Sequence, residues 1–412
     1  MNFFENELNQ RLNALRGKNL FRELRRVDSP QSPRIQIGGQ TFLNFSSNDY
    51  LGLANDPILK EGAIRAIKKF GAGAGASRLI CGSLAPFHEL EEALADFKQT
   101  EAALTFSTGY AAAIGTICAL LSKDDIIILD KLVHASIVDA ARLGGAKLRV
   151  FDHNDLNDLE KILKWTDKSA KAESGKRKAE ILIVTESIFS MDGDAAPLRE
   201  IVKLKNKFGA WLMVDEAHAT GLYGKNRRGL AEELGVSGQI EIQMGTLGKA
   251  LGSSGGYICG SRPLIDFLVN RARSFIFSTA PIPATAAAAT AAIQFVQSCE
   301  GEKRRKNLRR NIQSVGDDVR SLKLFPQNDQ RLLTSSPTKK NSAILPLIIG
   351  DETETLAAAA KLREQNIFVP AIRYPTVARG AARLRITLTA SHSSDEINSL
   401  VIALKPIVNR KS

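Results

Sequence analysis

Apolar residues fall at helical spacing near the start of the chain. Phe4, Leu8, Leu12 and Leu15 repeat every three or four positions, which predicts an amphipathic helix over residues 3–16, ended by Gly17. Ile35–Ile37 and Thr41–Phe45 flank Gly38-Gly39-Gln40 and read as a hairpin. Asp56-Pro57 supplies an N-cap and a first-turn proline for a helix running to about Phe70. Phe87, Leu90, Leu94 and Phe97 mark another helix.

From Ala102 the pattern changes to short apolar runs separated by helical periods. Strands are expected at Ala102–Phe106, Ile126–Leu129, Leu148–Phe151, Ile181–Thr185, Trp211–Val214 and Ile240–Met244. Helices are expected at Tyr110–Leu121, Ala135–Leu143, Leu156–Leu163 and Leu198–Phe208. Nearly continuous apolar strands alternating with helices predict an α/β fold, with a mostly parallel sheet covered on both faces. Residues 164–180 turn polar and read as a surface insertion. Residues 281–298 are alanine-rich and predict a helix leaving this unit. A charged helix follows near 301–322, then a polar loop at 326–342. A smaller α/β unit comes last: strand Ala343–Ile349, helix Glu354–Gln365, strands Ile367–Ile372 and Arg383–Thr389, and helix Asp395–Val408. The expected organisation is an N-terminal segment 1–45, a large domain 46–285 and a small C-terminal domain 286–412.

A chain of 412 residues is long enough for two cores. No apolar run reaches membrane-spanning length, and Met-Asn-Phe-Phe-Glu-Asn-Glu at the start lacks the regions of a secretion signal. Cys81, Cys118, Cys259 and Cys299 show no CxxC spacing, which fits a reducing compartment and argues against a zinc site. A cytoplasmic protein without a metal is expected. The net charge of +12 suits an anionic small ligand or a solvated surface, and no nucleic-acid-binding motif accompanies it.

In parallel sheets of this kind, ligands sit beyond the carboxyl ends of the strands. Ser107–Tyr110, Glu186 and Asp215 all fall at such ends. The run Trp211–Gly221 ends a strand on Asp215 and places His218 three residues later. The run Met244–Gly252, Met-Gly-Thr-Leu-Gly-Lys-Ala-Leu-Gly, sets Lys249 among glycines. Lysine, aspartate and histidine in this setting suggest a pyridoxal phosphate site. The lysine would be the covalent attachment point, the aspartate would hold the pyridinium proton and the histidine would reach the ring hydroxyl. Ser107-Thr108-Gly109-Tyr110 opens a helix whose free amides suit a phosphate. His134 follows a strand and its ring can stack on a flat cofactor. His88, His153 and His392 have no such context. Gly71–Gly75, leading to Ser77-Arg78, fits a flexible loop and a ligand or subunit contact equally well.

These runs, with Asn44–Leu53, Gly73–Arg78, Glu186–Asp194, Val369–Thr376 and Ala382–Ala390, resemble the α-oxoamine synthases. Those are pyridoxal 5′-phosphate enzymes of fold type I. The resemblance runs from Leu20 to the last helix. It implies a fold type I transferase with a large cofactor-binding domain and a smaller C-terminal α/β domain. It implies that Lys249, Asp215 and His134 are catalytic. Gly109, Tyr110, His134, Ser190, Asp215, His218, Thr246 and Lys249 would hold the cofactor, and Arg22, His134, Thr376 and Arg385 the substrates. The last two runs favour L-alanine and a pimeloyl thioester, on CoA or acyl carrier protein, as in biotin synthesis. A homodimer is implied, with Gly71–Arg78 and Phe275–Thr279 as candidate contacts. Ala113 and Val377-Ala-Arg-Gly380 depart from the family pattern, where Asn and Val-Pro-x-Gly are usual. The rival readings are a sister synthase acting on glycine and acetyl-CoA, and a basic nucleic-acid-binding protein without catalysis.

Overall fold

The computed structural model describes residues 2–172, 179–321 and 342–408. The strands in chain order are β1 (Arg34–Ile37), β2 (Gln40–Asn44), β3 (Ala102–Phe106), β4 (Ile126–Asp130), β5 (Lys147–Phe151), β6 (Ile181–Glu186), β7 (Trp211–Asp215), β8 (Ile242–Thr246), β9 (Gly256–Gly260), β10 (Ile344–Gly350), β11 (Ile367–Phe368), β12 (Ala371–Ile372) and β13 (Ala382–Thr387). Seven of them form the central sheet, in the order β3-β9-β8-β7-β6-β4-β5. β9 is antiparallel to both its neighbours, and the other pairs are parallel. The mostly parallel sheet expected from the apolar runs is therefore present. β9 escaped the sequence reading because glycines close both ends of a run of only three larger residues. All five of its residues are nevertheless buried.

The central strands β4, β6 and β7 carry apolar side chains toward both faces, and Ile127, Ile128, Leu182–Val184 and Leu212–Val214 are fully buried. Buried on both faces, such strands need helices on each side. Those helices include Gly109–Leu120, Ala135–Gly144 and Leu198–Phe208. The helix Pro57–Phe70 begins as expected, with the Asp56 carboxylate accepting the Ile58 amide at 3.0 Å.

Three differences from the expected elements bear on the fold, beyond shifts of a residue or two at other ends. The strand expected at Ile240–Met244 lies at Ile242–Thr246, which makes Thr246 its last residue. The helix expected to stop at Leu163 continues to Ala172, so residues 164–172 of the expected insertion are helical. The rest of that insertion, 173–178, and residues 326–341 of the expected polar loop lie outside the described residues. The strand expected over Ile367–Ile372 divides at Val369-Pro370, where proline offers no amide to a ladder. Its two halves join different sheets. β11 extends the N-terminal hairpin, pairing parallel with β2, and β12 pairs antiparallel with β13 beside β10. The hairpin of the first forty-odd residues thus shares its sheet with a strand from near the end of the chain.

Candidate active site

The carboxyl ends of three adjacent parallel strands define the site. Glu186 ends β6, Asp215 ends β7 and Thr246 ends β8. Lys249 follows in a tight turn closed by Leu247–Gly255, Ser253–Leu247 and Gly252–Lys249 backbone hydrogen bonds. Gly252 has φ +60, and a Cβ there would lie 2.6 Å from the backbone of Leu53 and Ala54. Glycine is what lets the lysine turn close on the Asn44–Leu53 segment.

The Lys249 amine lies 2.8 Å from His218 Nε2, and His218 Nδ1 lies 2.6 Å from the Tyr50 hydroxyl. Burial, with the charges of Lys249 and Arg385, holds His218 well below its ordinary range, so the ring is neutral. Burial also lowers Lys249. Arg385 acts in the same sense, while Asp215 and Glu186 oppose it. The Asp215 carboxyl accepts the Ala217 amide at 2.8 Å and is raised by burial, with Lys249 opposing. Burial raises Tyr50 to about 12, keeping it a phenol beside the histidine. An amine with a depressed pKa, a neutral imidazole and a carboxylate are thus gathered at one strand edge.

Ser190 is buried in the turn after β6. Its amide donates to Glu186 Oε2 at 3.2 Å and its carbonyl accepts from Arg385 Nε at 2.7 Å. The other Arg385 nitrogens reach Asn48 Oδ1 at 3.1 Å and Thr387 Oγ1 at 3.0 Å. Among the described residues no carboxylate pairs with this buried guanidinium. His134 caps the helix Ala135–Gly144, with its Nδ1 accepting the Ser136 amide at 3.2 Å. The residue is exposed as a whole, yet burial of its ring lowers its pKa, with Lys249 acting in the same sense and Asp215 opposing. Gly109 opens its helix against the end of β8, where a Cβ would sit 2.7 Å from Thr246 Cγ2. Tyr110 is exposed and donates to Asp139 at 3.0 Å.

Arg22 and Thr376 meet elsewhere. Arg22 donates to the Tyr374 carbonyl at 3.3 Å, and the Thr376 amide closes on the Arg373 carbonyl at 3.0 Å. Arg373 in turn holds the carbonyls of Asn19 and Phe21, both at 2.6 Å. These two positions lie on two exposed segments that meet, and among the described residues no hydrogen bond joins them to the Lys249 group.

Three further residues belong to the site and were not assigned from sequence. Tyr50 and Asn48 come from Asn44–Leu53, where polar groups crowd beside aromatics, and that crowding was the available signal. His153 bridges Asp130 at 2.9 Å and Asp194 at 2.8 Å, with its ring edge on Phe189. It braces the turn that carries Ser190. Its partners lie 23 and 41 residues away, so nothing local marks it.

The arrangement fits pyridoxal 5′-phosphate. Thr246 Oγ1 is buried at the end of β8 without a hydrogen-bond partner. Buried polar atoms left unpaired in a native site point to a bound group. Gly109 keeps the helix start clear beside Thr246; Thr108 caps the Ala111 amide at 3.0 Å, which leaves the amides of Gly109 and Tyr110 to meet a phosphate. Lys249 supplies the amine for covalent attachment.

Residues 40–404 match the class I and II aminotransferase family. The chain is 45% identical over 395 residues to an 8-amino-7-oxononanoate synthase of Geotalea daltonii, covering 96% of each chain. It is 40% identical over 405 residues to that of Thermoanaerobacter pseudethanolicus, covering 97% of this chain and 96% of the relative. Among solved structures, a serine palmitoyltransferase variant from S. paucimobilis with bound PLP superposes with a TM-score of 0.87 at 28% identity, covering 100% of this chain and 99% of that one. The 8-amino-7-oxononanoate synthase of Francisella tularensis superposes with a TM-score of 0.73 at 28% identity, covering 90% and 98%. The cofactor is pyridoxal 5′-phosphate and the fold is type I. The chain belongs to the class I and II aminotransferase family and, within it, to the α-oxoamine synthases, where it stands with the 8-amino-7-oxononanoate synthases.

Proposed function

We propose that this enzyme condenses L-alanine with a pimeloyl thioester to 8-amino-7-oxononanoate, releasing carbon dioxide and the free carrier thiol. The observation that carries this reading is the placement of a buried, carboxylate-free Arg385 beside the Lys249–His218 pair and Asp215. A planar guanidinium donates two parallel hydrogen bonds to a carboxylate. The α-carboxylate of an amino acid would take the place of the neutral Asn48 and Thr387 contacts. The bound cofactor supplies an electron sink for the pair of electrons released at the substrate α-carbon.

The protein's own residues do the rest. Lys249 anchors the cofactor and, once freed, its amine removes and returns the α-proton, a task suited to its lowered basicity. Asp215 holds the proton on the ring nitrogen. Neutral His218, steered by Tyr50, and Ser190 would hold the ring hydroxyl. His134 would stack on the ring. Gly109, Tyr110 and Thr246 would hold the phosphate end. Arg22 and Thr376, on two segments that meet, would contact the acyl substrate.

A cytoplasmic homodimer is proposed as the working form. In support, the isolated bridge Ser77–Thr279 sets the two expected contact stretches side by side, with Ile80 79% and Phe277 71% exposed. No described helix is long and apolar enough to cross a membrane. The test is a product assay pairing alanine, glycine and serine with pimeloyl, acetyl and palmitoyl thioesters. Alanine with the pimeloyl thioester should give the highest kcat/KM. A faster reaction of glycine with acetyl-CoA would move the enzyme to a sister activity.

A further inference from the structure

Glu186 has no place in the roles given so far. It ends β6, and the parallel ladder pairs it with Asp215. Paired positions on neighbouring strands project from the same face of a sheet, with strands about 4.8 Å apart. Two carboxyl groups therefore lie on one side of the sheet at the floor of the site. Both are buried, Glu186 to 2% exposure and Asp215 to 6%. Their surroundings differ. Asp215 accepts the Ala217 amide at 2.8 Å, and Lys249 is the first charge that favours its ionised form. Glu186 accepts the Ser190 amide at a longer 3.2 Å and leaves Oε1 without a partner. The charged groups that bear on Glu186 are Asp215 from β7 and Lys249 from the turn after β8. The backbone amides of His134 and Ser190 face it as well.

Two carboxylates this close in a dry site do not both ionise near neutrality, so the pair keeps one proton. The member that is more deeply buried and has no hydrogen bond to one oxygen is the one that keeps it. An unpaired oxygen on a neutral acid is also far less costly than one on a buried carboxylate.

We propose that Glu186 is the proton-holding member of a carboxyl pair with Asp215, and a positioning residue for the cofactor: neutral itself, it leaves Asp215 the single anion beneath the ring nitrogen. Burial and the facing Asp215 charge raise Glu186 to about 8, in agreement with this assignment. The inference rests on the cofactor reading and is independent of which acyl thioester is used.

The test uses the holoenzyme and needs no turnover. The cofactor's visible band is titrated from pH 6 to pH 10 in the wild type, Glu186→Gln and Glu186→Asp. The wild type should show an alkaline step that Glu186→Gln, neutral at every pH, loses. Glu186→Asp should restore a step at a shifted pH, which a purely structural role would not do. Infrared spectroscopy of the wild type at pH 7 should show the carbonyl stretch of a protonated carboxyl, and Glu186→Gln should lack it. In Asp215→Asn the facing negative charge is gone, so the Glu186 ionisation should move to lower pH. A Glu186→Gln titration identical to wild type would overturn the proposal. So would the absence of the protonated-carboxyl band in the wild type, which decides the matter even if a variant fails to fold. Failure to form product from alanine and the pimeloyl thioester would count against the proposed reaction and leave this result standing.

Discussion

Lys249 is placed to do two things, attach the cofactor and move a proton, and its depressed basicity serves both. Lys249→Ala should therefore lose turnover by about 100-fold or more, with a melting temperature close to wild type, since the side chain fills no core position. Borohydride reduction of the wild type should fix the cofactor covalently on the peptide containing Lys249, and a label on another lysine would refute the assignment. Asp215→Asn cannot hold the ring proton as a carboxylate does. Exchange of the α-proton of L-alanine with solvent should collapse in this variant, while some cofactor stays bound through its phosphate. Exchange near the wild-type rate would remove Asp215 from that role. At this scale Lys249, Asp215 and His218 were legible because each sits in a compact run of unusual residues. Tyr50 was not, because a contact across 168 positions leaves no periodic trace.

The turn Ser187–Asp194 is an element held from outside. His153 links it to β4 through Asp194 and Asp130, and Arg383 pairs with Asp192. Burial disfavours the charge on His153, but the two carboxylates outweigh it and lift the ring from 6.5 to about 10. A group raised in the folded state contributes stability that is fully present below its unfolded value and is lost as pH rises through its folded value. Melting temperature should thus decline between pH ~6.5 and ~10 in part through His153. In His153→Gln the melting temperature should be lower at pH 6.5 and the decline shallower. A decline of unchanged slope would show that the bridge is not charged. Elements were read well wherever apolar runs were long, as in β4, β6 and β7. The reading failed where that signal was absent: β9 is as long as β4 but has glycine at both ends, and Pro370 separates two strands whose sheets are set by distant segments.

At the scale of the whole molecule, two surfaces bear on function. The helix Phe3–Gly17 buries none of its residues, and its repeated Phe4, Leu8, Leu12 and Leu15 stay exposed. Together with Ile80 and Phe277 this is more apolar surface than scattered exposure explains. Sedimentation at assay concentration should find a dimer, and Phe277→Glu should weaken it. An active monomer would contradict the assembly. The second surface is basic. Arg22 and Arg373 lie close enough to repel one another, as do Arg25 and Arg363, and Arg379 stacks on Tyr374 at 4.4 Å. The sequence showed this charge but could not show that residues 22–25 and 363–379 converge. Screening shortens to about 8 Å at physiological salt, so kcat/KM for an anionic acyl carrier should fall with added salt while kcat stays level. A flat response would assign the charge to solubility.

The central claim is that this site joins L-alanine to a pimeloyl group with loss of the alanine carboxyl. L-Alanine labelled in its carboxyl carbon, incubated with pimeloyl-CoA and the holoenzyme, tests it directly. One labelled carbon dioxide should appear for each 8-amino-7-oxononanoate formed, with neither produced by Lys249→Ala. Label retained in the product, or released at the same rate without the thioester, would contradict the account.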